Sequence, residues 1–266
     1  RGLKNLQDAI LRPHGIILIC GPTGSGKTTT LYSVISKLNT SKVNIVTLED
    51  PIEYKIPGVN QVQINPAVGL TFASGLRSFL RQDPNIILVG EIRDRETADL
   101  AVQASLTGHL VFSTLHTNNA SGALPRLLDM GAEPYLLASS MTCIVAQRVV
   151  REIHTACKES YSPDPKVTEE FKKELGGLWQ PQGEVKFYKG KGDPECGDSG
   201  YYGRMGIFEV IPVSEKIGKL ILERSSASNI ETLAKEEGMM TLKQDGYLKV
   251  TEGITTVEEV LRVAQE

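Results

Sequence analysis

The chain predicts an α/β fold with a mostly parallel sheet, followed by a smaller and mostly helical lobe. Three observations carry that expectation. Short apolar runs alternate with stretches of helical period through the first 150 residues. The first run, GIILIC, ends in the glycine-rich turn GPTGSGKT and leads into an amphipathic stretch. After about Arg151 the texture becomes polar, rich in Gly, Pro and Lys, and then helical again.

Taken in order, GIILIC (15–20) reads as a buried parallel strand, because an apolar run with no polar alternation needs cover on both faces. A helix follows from Gly26, with Leu31, Val34, Ile35 and Leu38 on its inner stripe. VNIVTLED (43–50) is the next strand, and the alternating VNQVQIN (59–65) a half-buried one. FASGLRSFLRQD (72–83) predicts a helix with Phe72, Leu76, Phe79 and Leu80 inward, stopped by Pro84. IILVGE (86–91) and LVFSTLH (110–116) are core strands on either side of the helical ETADLAVQASLT (96–107). Residues 120–148 read as helical, interrupted around Gly131 and Pro134. EVKFYKG and GRMGIFEVI flank the polar segment like strands of a small sheet. From Ser214 the helical spacing returns, with Ile217, Leu220 and Ile221, then Val257, Val260 and Leu261. The expected domains are a core over 1–150, a segment over 151–210 and a helical subdomain over 211–266.

Bulk composition narrows the function. Charged residues make up 23% and hydrophobic residues 40% of 266, as in ordinary globular proteins. A net charge of −3 argues against a dedicated nucleic-acid binder, which carries a basic field. No apolar stretch approaches the roughly 20 residues that span a bilayer. The start, RGLKNLQDAILRP, lacks both a signal-peptide core and a Met, and reads as a cut inside a longer protein. The four cysteines are scattered, which suits a reducing compartment better than a disulfide scaffold.

GPTGSGKT matches the phosphate-binding pattern G-x-x-x-x-G-K-[ST] between a strand and a helix. Gly21, Pro22, Thr23, Gly24, Ser25 and Gly26 form a loop whose N–H groups point at phosphate oxygens, with Thr28 and Thr29 opening the helix beyond Lys27. Lys27 would bridge the β- and γ-phosphates of a nucleoside triphosphate, and Thr28 would supply a hydroxyl to Mg²⁺. Glu91 ends its strand at the edge where ligands bind in open α/β folds, and would support Mg²⁺. In TLEDPIE, Glu49, Asp50 and Glu53 crowd one strand end; mutual repulsion can raise a carboxylate toward base-competent values. A solvated acidic turn is the competing reading. Arg77 and Arg81, four apart, read as one helical face carrying two arginine fingers or merely solvated charge. A strand from Leu110 would aim His116 at the γ-phosphate pocket, whereas His109 at its other end would orient a loop or a subunit contact.

Together GPTGSGKTTT, TLEDPIE, NIILVGEIRD and TGHLVFSTLHTNNA resemble the four boxes of the secretion-superfamily ATPases, hexameric motors of type II secretion and type IV pilus assembly. The likeness extends through LRQDP, AQRVVR and GYYGRMGIFEV, nearly the whole chain. It implies a RecA-like P-loop NTPase core that uses ATP and Mg²⁺, with Glu53 as general base, Glu91 supporting Mg²⁺ and His116 sensing the γ-phosphate. It also implies arginines completing the site around a homohexameric ring, and an upstream domain not present here. The expected partner is an inner-membrane platform protein of a pilus or pseudopilus machine. The expected place is the cytoplasm, peripheral to the inner membrane through partners, with no nucleic acid bound. Two other classes stay open: a DNA or conjugation-type translocation ATPase, and a nucleotide-gated scaffold.

Assembly motors of this kind carry two C-x-x-C pairs after the core. Here the pairs read HTAC and DPEC, so His154, Cys157, Asp193 and Cys196 stand at the ligand spacing. They would make either a tetrahedral zinc site or a degenerate motif without metal.

Overall fold

Parallel strands buried on both faces organise the first part of the chain. The computed structural model describes residues 2–180, 183 and 185–264. In chain order the elements begin with α1 (Gly2–Ile10), β1 (Gly15–Cys20), α2 (Lys27–Leu38), β2 (Ile45–Glu49) and β3 (Asn60–Gln63). Next come α3 (Phe72–Phe79), β4 (Ile86–Val89), α4 (Arg95–Leu106), β5 (Leu110–Leu115), α5 (Ala123–Asp129), α6 (Pro134–Ser140) and β6 (Met141–Ile153). The remainder is β7 (Lys158–Tyr161), α7 (Pro165–Leu175), β8 (Phe187–Gly190), β9 (Tyr201–Pro212), α8 (Glu215–Leu222), α9 (Ala227–Glu236), α10 (Leu242–Thr251) and α11 (Val257–Ala264). The chain divides into one unit of Arg1–Ala146 with Val210–Met239, and another of Gln147–Glu209 with Met240–Glu266. The helical stretch after Ser214 is therefore shared between the two units, with α8 and α9 in the first.

In the first unit the sheet runs β3-β2-β4-β5-β1, followed by the opening residues of β6. β1 pairs with β5 and β6, β2 with β3 and β4, and β4 with β5, each in parallel. Every residue of β1, β2, β4 and β5 is buried, and these strands are accordingly dominated by apolar residues, with Thr47, Glu49, Ser113 and Thr114 as the buried polar exceptions. β3, at the sheet's edge, is half exposed and carries polar residues. Helix α2 buries Leu31, Tyr32, Val34 and Ile35. Helix α3 starts on a Thr71–Ser74 capping box and approaches β2 closely: a side chain at Gly75 would meet Leu48 Cδ2 at 2.5 Å.

Two expectations are corrected. Residues 141–148 are not helical but the first part of strand β6. An apolar run such as MTCIVAQRVV serves equally as buried helix or buried strand by periodicity; Thr142, Ile144, Val145, Val149 and Val150 tip it to strand once β1 offers an edge. Helix α3 also ends at Phe79, four residues early. Asp83 takes a left-handed φ of 48° ahead of Pro84, and the residue before a proline is disfavoured in a helix. Arg81 therefore lies in the turn after α3, its N–H donating to Ser78 O, and shares no helical face with Arg77.

In the second unit β7 and β8 pair antiparallel, and the polar segment between them holds a helix that periodicity did not reveal. Helix α7 opens with Asp164 accepting from Lys166 N and with Pro165 in its first turn. Its Phe171 stacks on Tyr247, with ring centroids 3.8 Å apart, and packs on Phe187. The same unit buries Glu259, 2% exposed, which accepts from Arg151 N, Arg151 Nη2 at 2.7 Å and Arg262 Nη2 at 2.7 Å. Burial works against that carboxylate's charge, but the two guanidinium groups and the N–H overcome it and hold its pKa at about 2, against an ordinary 4.5.

A carboxyl whose folded pKa is depressed stabilises above its unfolded value, and the gain is lost as pH falls toward the folded one. Glu259→Gln should thus lower stability at pH 7 by about 1.5–3 kcal/mol, the range for hydrogen bonds to charged groups. The gap between variant and wild type should narrow below about pH 4.5 and close near pH 2, read by urea unfolding across that range.

Candidate active site

Four parallel strands end at one edge of the sheet, and their loops bring the sequence motifs together. The register pairs Cys20 with Leu115, and Gly21 N donates to Leu115 O at 3.3 Å. The phosphate-binding loop and His116 thus leave their strands side by side. Gly24 and Gly26 adopt φ of 79° and 83°, which a side chain would strain, and their left-handed turns deliver the chain into α2. No side chain caps the start of α2, and a helix N-terminus is a place where anions bind. Ser25 Oγ is buried in this loop with no hydrogen-bond partner among the described residues, a polar atom that a ligand oxygen would satisfy. Lys27 Nζ donates to Gly21 O at 2.8 Å and Pro22 O at 2.9 Å.

Glu91 lies two residues past β4, in a turn pinned to β5: Thr114 Oγ1 donates to Gly90 O at 2.7 Å and Ile92 N to Thr114 O at 3.1 Å. Its side chain is 12% exposed and pairs with Arg93 and with His116 Nε2 at 3.4 Å. Arg93 is a contact the sequence reading missed; its pKa is raised chiefly by its hydrogen bond to Glu91, burial notwithstanding. The carboxylate of Glu91 and the hydroxyl of Thr28 are oxygen donors of the kind a hard cation takes, and the Arg93 guanidinium already lies against Glu91.

The three carboxylates of TLEDPIE separate. Glu49 is buried, accepting from Tyr32 Oη, from Thr47 Oγ1 and from Gln61 Nε2 at 3.1 Å. Asp50 and Glu53 are exposed, and Glu53 N donates to Tyr32 Oη at 3.3 Å. Burial, then its bond to Glu49, raises the Tyr32 phenol above the ordinary tyrosine range, so it remains a donor. Tyr32 went unremarked in sequence because it adjoins Leu31 on the inward stripe; an aromatic hydroxyl there was the available signal.

Arg77 and Arg81 are both exposed, and Arg77 pairs with Glu96 on α4. His109 Nδ1 contacts Ala104 O at 2.7 Å and Thr107 Oγ1 at 3.1 Å, closing the loop after α4. The histidine at the strand's start orients a loop, while His116 faces the loops at the other edge.

In the second unit His154, Cys157, Asp193 and Cys196 each offer a ligand atom within 4.8 Å of the others. His154 Nδ1 lies 2.8 Å from Asp193 Oδ2, and Cys196 Sγ accepts from Asp193 N at 3.2 Å and Gly200 N at 3.3 Å. Burial alone would raise the Cys196 thiol, but those N–H groups outweigh it and lower its pKa, whereas burial raises Cys157. N–H groups directed at sulfur favour thiolate, the form that ligates metal, and the N, O and S donors fit zinc.

The family model described as type II/IV secretion system protein matches residues 1–262. The type II secretion system protein E of Pseudomonas aeruginosa is 51% identical over 266 residues, all of this chain and 52% of that protein. The type IV pilus assembly ATPase PilB of Thermus thermophilus is 47% identical over 261 residues, 97% of this chain and 29% of that protein. The crystal structure of the pilus retraction motor PilT with bound ADP superposes with a TM-score of 0.70 at 30% identity, covering 98% of this chain and 64% of that one. The chain therefore spans about half the length of the secretion protein or less of such relatives.

Proposed function

The chain belongs to the type II/IV secretion system protein family, and from that premise we propose that it is the ATP-hydrolysing motor portion of a pilus or type II secretion machine. One observation carries the reading: phosphate loop, Glu91, His116 and the acidic loop of Glu53 all leave the carboxyl ends of neighbouring parallel strands. Gly21 to Thr29 would cradle the triphosphate, and Lys27 would exchange its two carbonyl partners for phosphate oxygens. Thr28 and Glu91 would hold Mg²⁺, which neutralises charge on the phosphates when bound. Glu53, exposed at the loop's edge, would take the proton of the attacking water. His116, at present against Glu91, would turn toward the γ-phosphate and register its loss.

Arg77 and Arg81 would act on a neighbouring subunit's nucleotide within a homohexamer. Arg81 is exposed in the turn after α3, its N–H donating to Ser78 O, whereas Arg77 would first have to leave Glu96. Force would pass to an inner-membrane platform protein, with the motor on the cytoplasmic side. No helix among the described residues is long and apolar enough to cross a membrane, so attachment would run through that partner. His154, Cys157, Asp193 and Cys196 would hold zinc as a structural brace of the second unit.

Lys27→Ala should abolish ATP turnover with the fold intact, since it removes a phosphate contact and no core packing. Glu53→Gln should keep ATP binding and lose about 10²–10⁴-fold in turnover, as for a missing general base. Phosphate release paired with nucleotide binding reads both, and wild-type hydrolysis by either variant would overturn the site assignment. The metal reading is checked separately by titrating metal-free protein with Co²⁺. One equivalent should give tetrahedral thiolate absorption and raise the melting temperature, and Cys196→Ser should lose both; no absorption in the wild type means no metal.

A further inference from the structure

The loop that carries Glu53 is fastened from beneath by three side chains. Tyr32, on the helix that follows the phosphate loop, has its hydroxyl between Glu49, to which it donates, and Glu53 N, from which it accepts at 3.3 Å. Gln61, on the edge strand β3, reaches the same place from the opposite side. Its Nε2 donates to Glu49 Oε1 at 3.1 Å and Tyr54 O at 3.2 Å, and its Oε1 accepts from Ile56 N at 2.7 Å. Two main-chain N–H groups and one carbonyl of residues 53–56 thus end on two side chains, with the buried Glu49 carboxylate joining them. The Tyr54 ring adds an edge contact to Tyr32, with centroids 4.6 Å apart. A neighbouring amide repeats the device, since Gln63 Oε1 accepts from Ile52 N at 3.4 Å.

We propose that Tyr32, Glu49 and Gln61 form a clamp that positions the acidic loop, and with it Glu53, against the helix bearing the phosphate-binding lysine. The inference rests on the reading of Glu53 as the base, and makes these three positioning residues rather than catalytic ones. Its physical logic is a satisfied polar network. Glu49 is buried and accepts from three side-chain donors, and two of them, Tyr32 and Gln61, in turn hold the loop's main chain. Loops without such ties sample many conformers, and misplacing a reacting group by about 1 Å can cost about 10²-fold. Because α2 begins at Lys27, a phosphate-driven shift of that helix would carry the Tyr32 hydroxyl and so the base's loop with it.

The test uses Tyr32→Phe and Gln61→Met, each alone and combined with Glu53→Gln, in the oligomeric protein. Tyr32→Phe deletes one hydroxyl, and Gln61→Met changes a half-exposed edge residue, so failure of one to fold leaves the other. Hydrogen exchange of amides 50–57 should quicken in both while α2 keeps its protection. In steady-state hydrolysis kcat should fall about 10- to 10²-fold with KM for ATP altered less than about threefold. In the Glu53→Gln background neither change should lower kcat further, because residues that act through one group are not additive. Unchanged exchange and unchanged kcat overturn the clamp even where Glu53→Gln abolishes turnover. Equal kcat losses with and without Glu53 would likewise overturn it, pointing to general damage. Faster exchange in the variants, with Glu53→Gln still hydrolysing ATP at the wild-type rate, would instead condemn the base assignment.

Discussion

The parallel register of β1 and β5 is the constraint on which the rest of the candidate site depends. Cys20 lies opposite Leu115, and Gly21 N closes onto Leu115 O. Because parallel strands share direction, their carboxyl ends meet at one edge, and each next strand adds a loop there. β4 pairs with β5 through Val89 and Ser113, and β2 with β4 through Leu48 and Val89. Slipping any of these pairs by one residue would turn every side chain to the opposite face. The burial of all four strands makes such a slip costly, so hydrophobic packing is what holds the chemistry in place.

Around that edge charge is arranged by depth. Glu49 goes inward and is fully engaged, Glu91 sits in between with Arg93 and His116, and Glu53 stays at the surface. Carboxylates that look alike in TLEDPIE thereby acquire different chemistry. A buried carboxylate needs donors, and Tyr32, Thr47 and Gln61 supply them. An exposed one keeps its contact with water. Similar economy operates in the second unit, where Glu259 gathers two arginines and Asp193 gathers His154 and a main-chain N–H.

Relatives of about 50% identity and a superposable pilus motor agree with what the motifs alone suggested about family and fold. The phosphate loop was legible because its glycines answer a local demand: tight left-handed turns between a strand and a helix. The positions of Glu91 and His116 were legible for a related reason, since each follows an apolar run whose end the sheet places at the same edge as the phosphate-loop motif. Where local pattern was ambiguous the reading failed. MTCIVAQRVV suits a buried helix or strand equally, and only the free edge of β1 decides. Arg77 and Arg81 looked like one helical face until Asp83 and Pro84 ended the helix early.

By itself, then, the amino-acid order determined where most strands and helices lie, which of their faces are apolar, and which loop carries the phosphate-binding pattern. Those are consequences of burial period and of backbone sterics, which act over a few residues. Tertiary structure alone decided the pairings between distant positions: Tyr32 with Glu49 and Glu53, Arg93 and His116 with Glu91, His154 with Asp193. Hydrogen bonds and ion pairs leave no periodic trace in a sequence, because their partners are matched by geometry after folding. Which carboxylate of an acidic cluster is buried and which is free is therefore set by the packing around it, not by its neighbours in the chain.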